Sequence, residues 1–325
     1  MSYNVQIEGG EAFAFPLNDE DTLLRAGLRA GAGLPHECSV GGCGACRFDL
    51  LEGEMERLWP EAPGLSERDR KRGKYLACQS RPLSDCVIKL RTADEYRPVV
   101  PARRRPATLV ERRKLTADMA EFTFRTPGAA AFLPGQYALL YPQGVVGARA
   151  YSMSNLANAD GIWQFVIRRT PNGRGSGALF DLAVGDTLPL DGPYGHAYWR
   201  AESPREIVCI AGGSGLAPML GIARAALPGT VHFFDGARTS ADLCGRARLP
   251  QAPSLAYHPV LSTPDATWTG ATGFVHQEVA RTLAAPLDQY EYYFAGPPPM
   301  IEAVQTLLMV EHRVPYAQIH FDRFL

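Results

Sequence analysis

Over its first third the chain alternates apolar and polar residues in short runs, the period of strands with one buried face. Residues 3–7 and 12–15 alternate on either side of Gly9-Gly10, a pair that takes the positive φ angles of a tight hairpin turn, so two strands are expected at the start. Asp21 then offers a side-chain oxygen ahead of Leu23, Leu24 and Leu28, and Gly31 and Gly33 supply a stop. That pattern predicts a short amphipathic helix over 22–30. With the strand-like run 47–51, these elements make a small mixed α+β unit over residues 1–96. The stretch 97–106, RPVVPARRRP, is rich in proline and arginine and poor in core formers, so it reads as a linker; its Arg103–Arg105 run reads as solvated surface ahead of the alternative, a dock for an acidic partner. From 107 to 203 short strands recur between glycines and prolines, at 108–111, 121–126, 136–141, 162–168 and 186–190, which predicts an antiparallel barrel with its first helix near 177–182. Beyond 203 the period changes. The continuous apolar run 206–211 feeds a glycine turn and a helix at 216–226, and further strands are expected at 230–235 and 290–295. Strands alternating with helices predict a doubly wound α/β domain over 204–325.

Length and composition fit this plan. A chain of 325 residues is long for one core, so two or three domains are expected. Hydrophobic content of 46% and charged content of 21% are those of an ordinary globular protein, and a net charge of −1 gives no reason to expect nucleic acid. The longest apolar candidate for a membrane span, 208–227, is interrupted by four glycines, Pro218 and Arg224, so no span is expected. The first ten residues lack a basic segment followed by an apolar one, which argues for the cytoplasm.

Three cysteines stand at C-x4-C-x2-C spacing, Cys38, Cys43 and Cys46, and Cys78 follows with 31 residues between. Four thiolates satisfy two tetrahedral irons, two each, and this spacing is the plant-type signature of a [2Fe–2S] cluster. Gly41, Gly42 and Gly44 suit a loop that wraps a cluster and brings its N–H groups close to sulfur. A structural zinc site and a disulfide framework are the competing readings. Zinc sites usually pair two short cysteine units, and disulfide frameworks suit small secreted domains. Cys86, Cys209 and Cys244 stand alone beside apolar runs and read as core residues. Residues 1 to about 95 resemble plant-type ferredoxin domains of the β-grasp fold. The resemblance implies that Cys38, Cys43, Cys46 and Cys78 are the cluster ligands, and reduced thiolates again argue for the cytoplasm.

In the barrel, Arg149, Tyr151 and Ser152 lie in one strand and can meet a phosphate, a flat ring and a ring heteroatom together. The turn of Gly173, Arg174, Gly175 and Ser176 can wrap a second phosphate with backbone N–H groups. Singly these read as a surface arginine, a strand aromatic and an ordinary turn. In this order they resemble the flavin-binding barrel of the ferredoxin–NADP reductase family, whose RxYS motif falls on 149–152 and GxxS motif on 173–176. The resemblance implies FAD. It has Arg149 on the pyrophosphate, Tyr151 packed on the isoalloxazine, Ser152 near flavin N5 as a catalytic group with Tyr151, and the 173–176 turn on the rest of the pyrophosphate.

The glycine turn after the first α/β strand, Gly212, Gly213, Ser214 and Gly215, opens a helix as a phosphate cradle would. Its match to G-x-G-x-x-G is incomplete because position 218 is proline. GGSGxAPM at 212–219 and GPPPM at 296–300 resemble the pyridine-nucleotide domain of the same family. They imply a pyrophosphate at the first loop and a nicotinamide facing the second, with Gly296, Pro297 and Met300 in the site. NADPH users of the family place basic residues after the second strand. Here Arg238 is followed by Asp242, and an acidic group favours a free ribose hydroxyl, so NADH is expected. The family's usual Cys before GPP is Ala295, which bears on how the nicotinamide is oriented. Near the end, Phe324 resembles the aromatic residue that shields the flavin, while Phe321 either does the same or completes an edge strand.

Nicotinamide gives up electrons in pairs and an iron–sulfur cluster takes them singly; a flavin does both. The order of domains therefore predicts a two-to-one electron converter. GGCGAC, LLEGE, LWPEAPGLS, YLACQ and HFDRF resemble reductase components of bacterial multicomponent oxygenases, closest to toluene monooxygenase reductases of the soluble di-iron class. That resemblance implies electrons passing from NADH to a Rieske-type ferredoxin or a di-iron hydroxylase, with a hydrocarbon as the system's substrate; a monomer is expected. A reductase feeding a Rieske dioxygenase or another terminal enzyme by the same internal path is the alternative.

Overall fold

The structure, a computed structural model, describes residues 2–8, 13–18 and 21–324. The chain forms two compact units. The first comprises Met1–Arg104 with Gly147–Ala150 and Asp191–His196; the second comprises Arg105–Val146, Tyr151–Leu190 and Ala197–Leu325. The expected barrel and nucleotide-binding regions thus share most of one unit.

In the first unit the elements run β1 (Ser2–Glu8), β2 (Phe13–Asn18), α1 (Leu23–Arg29), β3 (Arg47–Glu52), β4 (Met55–Arg57), α2 (Glu67–Lys71), β5 (Tyr75–Leu76), β6 (Ser80–Pro82) and β7 (Cys86–Lys89). Five strands form one sheet in the order β2-β1-β7-β3-β5, with β1 and β7 parallel. The expected turn at Gly9-Gly10 lies outside the described residues. Helix α1 buries Leu23, Leu24 and Leu28. It starts one residue later than its expected cap: Thr22 is the N-cap, and Asp21 instead accepts the Thr22 N–H at 2.9 Å and pairs with Arg29. A cation seven residues into the helix outcompetes the helix N–H groups for that carboxylate. Gly31, at φ +87°, ends the helix as expected. Arg29 also pairs with Asp191 at 2.9 Å and donates to Tyr194 Oη at 3.3 Å, which ties the 191–196 segment into this unit.

The barrel consists of β8 (Arg103–Lys114), β9 (Met119–Arg125), β10 (Tyr137–Leu140), β11 (Arg149–Ser152), β12 (Ile162–Arg168) and β13 (Thr187–Tyr194), with α3 (Arg174–Phe180) before the last strand. The order is β11-β10-β13-β8-β9-β12, and an antiparallel bridge from Met153 to Phe165 brings the two ends of the sheet together. Phe122, Phe124, Trp163, Phe165 and Leu190 fill the interior. Strand β8 begins inside the stretch read as a linker; Arg103 and Arg104 are exposed, so paired backbone there has a linker's composition. Helix α3 starts at Arg174, three residues ahead of its expected start, because the Gly173 carbonyl accepts the Gly177 N–H at 2.8 Å.

The nucleotide-binding region runs β14 (Glu206–Gly212), α4 (Leu216–Ala226), β15 (Val231–Ala237), β16 (Leu255–Leu261), β17 (Ala271–Thr272), α5 (Val275–Thr282), β18 (Tyr290–Gly296), α6 (Pro298–Gln305) and β19 (Ile319–Arg323). All six strands are parallel, in the order β17-β16-β15-β14-β18-β19. Ile207, Cys209 and Ala211 of β14 pack with α4, while Val208 and Ile210 pack with α5 and α6. Helices on both faces explain why β14 reads as an unbroken apolar run. Strand β16 escapes the sequence pattern because Pro259 stands in its middle. Phe321 lies in the edge strand β19.

Candidate functional site

The cysteine loop presents its thiols as two pairs. Cys38 and Cys43 share a side-chain hydrogen bond, as do Cys46 and Cys78. Cys46 and Cys78 are buried, and the other two are partly so. Gly42 N–H and Cys43 N–H point at Cys38 Sγ from 3.3 and 3.4 Å, and Ala45 N–H points at Cys43 Sγ from 3.5 Å. The Cys43 thiol, with the backbone N–H groups of Val40, Cys43 and Gly42, holds the Cys38 thiol down to about 5 against the opposing effect of burial. The Cys46 thiol is lowered in the same way, first by Cys78. Gly41 and Gly44 adopt φ of +94° and +78°, which the loop needs to turn its N–H groups inward. Two pairs of thiols with N–H donors aimed at sulfur fit a [2Fe–2S] cluster with two ligands per iron. Among the described residues no three Cys, His, Asp or Glu side chains converge as they would on a single ion.

In the barrel, Arg149, Tyr151 and Ser152 share β11. Tyr151 rests half-buried against the barrel core, and Ser152 is buried. Arg149 donates to the Ala148 carbonyl at 3.0 Å. The 173–176 turn is tight: a Cβ on Gly173 would stand 2.8 Å from Ser176 Oγ and from Thr170 Cβ. Ser176 Oγ accepts the Thr170 N–H at 3.0 Å, so its hydroxyl shapes the turn. Arg174 reaches the Gly144 carbonyl at 3.4 Å. The N–H groups of Arg174, Gly175 and Ser176 belong to the first turn of α3, where a helix has no acceptor of its own for them. A glycine-tight turn lined by such donors fits a flavin pyrophosphate.

The two loops of the nucleotide-binding region are pressed together. A Cβ on Gly215 would fall 1.9 Å from the Ala295 carbonyl oxygen. Met300 fills the gap between the loops, 2.5 Å from where Gly212 would carry a Cβ and 2.8 Å from the same point on Gly296. Pro297 caps α6 at their junction, and Gly213 takes φ +58° beside Ser214. Arg168, at the end of β12, lays a guanidinium nitrogen 2.9 Å from where a Gly213 Cβ would stand. That cation went unread in the sequence, since 45 residues separate it from the loop and only packing brings the two together. Arg238 is exposed after β15. Asp242 is only partly free, because its carboxylate accepts from Thr239 N at 3.1 Å and from Thr239 Oγ1 at 2.9 Å. Asp235, also unread, is buried at the end of β15, where it accepts from Tyr257 Oη at 2.7 Å and from Gly245 N at 3.2 Å. Phe324 packs half-buried against the cluster of Cys209, Ala211 and Ala295.

Residues 7–83 match the family model of the 2Fe-2S iron-sulfur cluster binding domain. Residues 106–199 match the oxidoreductase FAD-binding domain, and 209–306 match the oxidoreductase NAD-binding domain. Over 311 residues the chain is 44% identical to the ferredoxin–NAD(P)(+) reductase CarAd of Metapseudomonas resinovorans, covering 93% of this chain and 94% of that one. It is 39% identical over 323 residues to the ferredoxin–NAD(+) reductase component of the alkene monooxygenase system of Xanthobacter autotrophicus, covering 96% and 98%. Among solved structures, the ferredoxin reductase in carbazole 1,9a-dioxygenase matches with a TM-score of 0.92 at 40% identity, covering 100% of this chain and 99% of that one.

Proposed function

Because the chain belongs to the family of ferredoxin–NAD(P)+ reductase components of oxygenase systems, we propose that it takes electrons from NADH and hands them singly to a ferredoxin serving a toluene-type hydrocarbon monooxygenase. The observation that carries this is the presence of all three cofactor domains in one polypeptide. Bound FAD accepts electrons in pairs from nicotinamide and releases them one at a time, and a [2Fe–2S] cluster carries them singly.

The chain's own residues hold and orient these groups. Cys38, Cys43, Cys46 and Cys78 would hold the two irons of the cluster through their thiolates. Arg149 and the 173–176 turn would hold the flavin pyrophosphate, Tyr151 would pack on the ring, Ser152 would hydrogen-bond near N5, and Phe324 would shield it. The 212–215 loop holds the dinucleotide pyrophosphate with Arg168 close by, and Gly296, Pro297 and Met300 flank the nicotinamide. Preference for NADH rests on Asp242 standing after β15, where a carboxylate repels a 2′-phosphate. A ferredoxin acceptor is supported by both relatives being ferredoxin reductases, and a toluene-type system by the motifs GGCGAC, LWPEAPGLS and HFDRF. Likeness to a carbazole dioxygenase reductase favours a second reading, in which the terminal enzyme is a dioxygenase. Thiolate ligands require reducing surroundings, which supports the cytoplasm.

Absorption and EPR spectra before and after NADH test the core of the reading. Flavin and cluster bands should both bleach, and Cys78→Ser should remove the cluster signal while NADH still bleaches the flavin. A colourless, zinc-loaded protein would defeat it. Asp242→Asn keeps an acceptor for Thr239 but removes the charge, and should shift the NADH/NADPH preference toward NADPH by about tenfold, near 1.4 kcal/mol. An unchanged preference would take Asp242 out of the nucleotide site. Reconstitution with purified ferredoxins, di-iron hydroxylases and Rieske dioxygenases assigns the terminal enzyme.

A further inference from the structure

Within the first unit, the segment from Leu58 to Lys74 wraps the cysteine loop and then turns to solvent. Gly64 N–H donates to the Gly41 carbonyl at 2.9 Å, and a Cβ on Gly44 would stand 2.5 Å from Gly64 O. The Trp59 ring lies 3.1 Å from where a Gly41 Cβ would be, yet Trp59 is 45% exposed. A large ring therefore touches the cysteine loop on one side and water on the other. Ala62 links it to α2, donating to Trp59 O at 3.1 Å and accepting from Arg70 at 3.4 Å. Residues 67–74 hold five basic groups and two acidic ones, a net of +3, whereas residues 1–96 hold 12 basic and 16 acidic, a net of −4. Arg70 is bonded to Leu65 O and Lys74 to Asp49, while Arg68, Lys71 and Arg72 stand exposed. An exposed aromatic anchor beside a rim of like charge is the anatomy of a specific, electrostatically steered interface.

We propose that this face is the docking site of the acceptor ferredoxin, whose acidic surface meets Arg68, Lys71 and Arg72 while an apolar spot covers Trp59. The proposal rests on the reading that a ferredoxin takes the electrons. Electron tunnelling decays steeply with distance, so an acceptor must seat close to the cysteine loop, and the segment that wraps that loop carries a net charge of +3 over residues 67–74 in an otherwise acidic stretch 1–96. One electron passes from the reduced reductase to the oxidised ferredoxin, with no bond made or broken.

The test uses the full holoprotein with NADH and the ferredoxin that the carbazole 1,9a-dioxygenase reductase serves as probe. The triple variant Arg68→Glu, Lys71→Glu, Arg72→Glu should raise the KM for ferredoxin about tenfold at low salt, with the gap closing at 0.5 M NaCl as charges are screened. Trp59→Ala should raise KM at both salt concentrations. NADH-driven bleaching without acceptor should match wild type in both variants. Equal ferredoxin KM for wild type and both variants overturns the docking site alone. A wild-type protein that bleaches with NADH yet reduces no ferredoxin overturns the acceptor reading and the site with it. Direct transfer to a di-iron hydroxylase, weakened by the same variants, puts a different protein on this face and overturns the ferredoxin as its occupant.

Discussion

Asp235 lies buried at the end of β15, with Tyr257 and the Gly245 N–H as its hydrogen-bond partners. Burial lifts its pKa above the ordinary value, against the pull of those two donors. The folded chain therefore holds this proton more tightly than the unfolded chain. The group's favourable contribution to stability is full below the unfolded value of about 4 and is lost as pH rises through the raised folded value. Asp235→Asn keeps an oxygen for Gly245 without the charge. Its melting temperature should exceed wild type at pH 8, and the difference should vanish toward pH 4; a variant less stable at pH 8 would show that the ionised form is required. At this scale the sequence was legible where chemistry is local. The cysteine spacing and Gly31 could be read directly, whereas Asp21 was misassigned as a cap because its partner Arg29 becomes a neighbour only once the helix exists.

Helices and strands position the site through close approach of backbone. The 212–215 turn meets the end of β18 so tightly that only glycine fits at 215. Gly215→Ala should cost about 2 kcal/mol or more, read as a lower urea midpoint at constant slope, because neither the Ala295 carbonyl nor the turn can yield without moving a strand. NADH-dependent bleaching should fall in the same variant while the cluster absorbance persists. A variant with wild-type stability and turnover would mean that the two loops are not held as described. Long elements such as β12 and α4 were predicted to the residue, since a seven-residue strand pattern or a long apolar run behind a glycine turn announces them. Strands of two to four residues, such as β4 and β5, contain less than one such pattern.

In the second unit the barrel and the nucleotide-binding region are joined by a buried ion pair and a shared apolar patch. Arg248 pairs with Glu121 of β9, each with under a tenth of its side chain exposed. Arg224 of α4 donates to the carbonyls of Ser154 at 2.6 Å and Arg248 at 2.7 Å. Met119 and Val166 of the barrel pack on Ala217 of α4. Arg113 also reaches Glu121, at 3.3 Å, but is more than half exposed, so Arg248→Ala removes the buried partner and should destabilise by about 2 kcal/mol, while Glu121→Leu with Arg248→Met should recover most of the loss. A thermal or urea double-mutant cycle with no coupling between the two positions would contradict the pairing. The amino-acid sequence by itself determined the three cofactor domains and their order, and named candidate residues for each, because cysteine spacing, glycine turns and hydrophobic period are properties of neighbouring residues. Only the tertiary structure decided that the thiols stand in two pairs, that Met300 bridges loops 84 residues apart, and that Arg168 and Glu121 face the nucleotide-binding region. Those contacts join residues distant in the chain, and they depend on how finished elements pack, which no local pattern encodes.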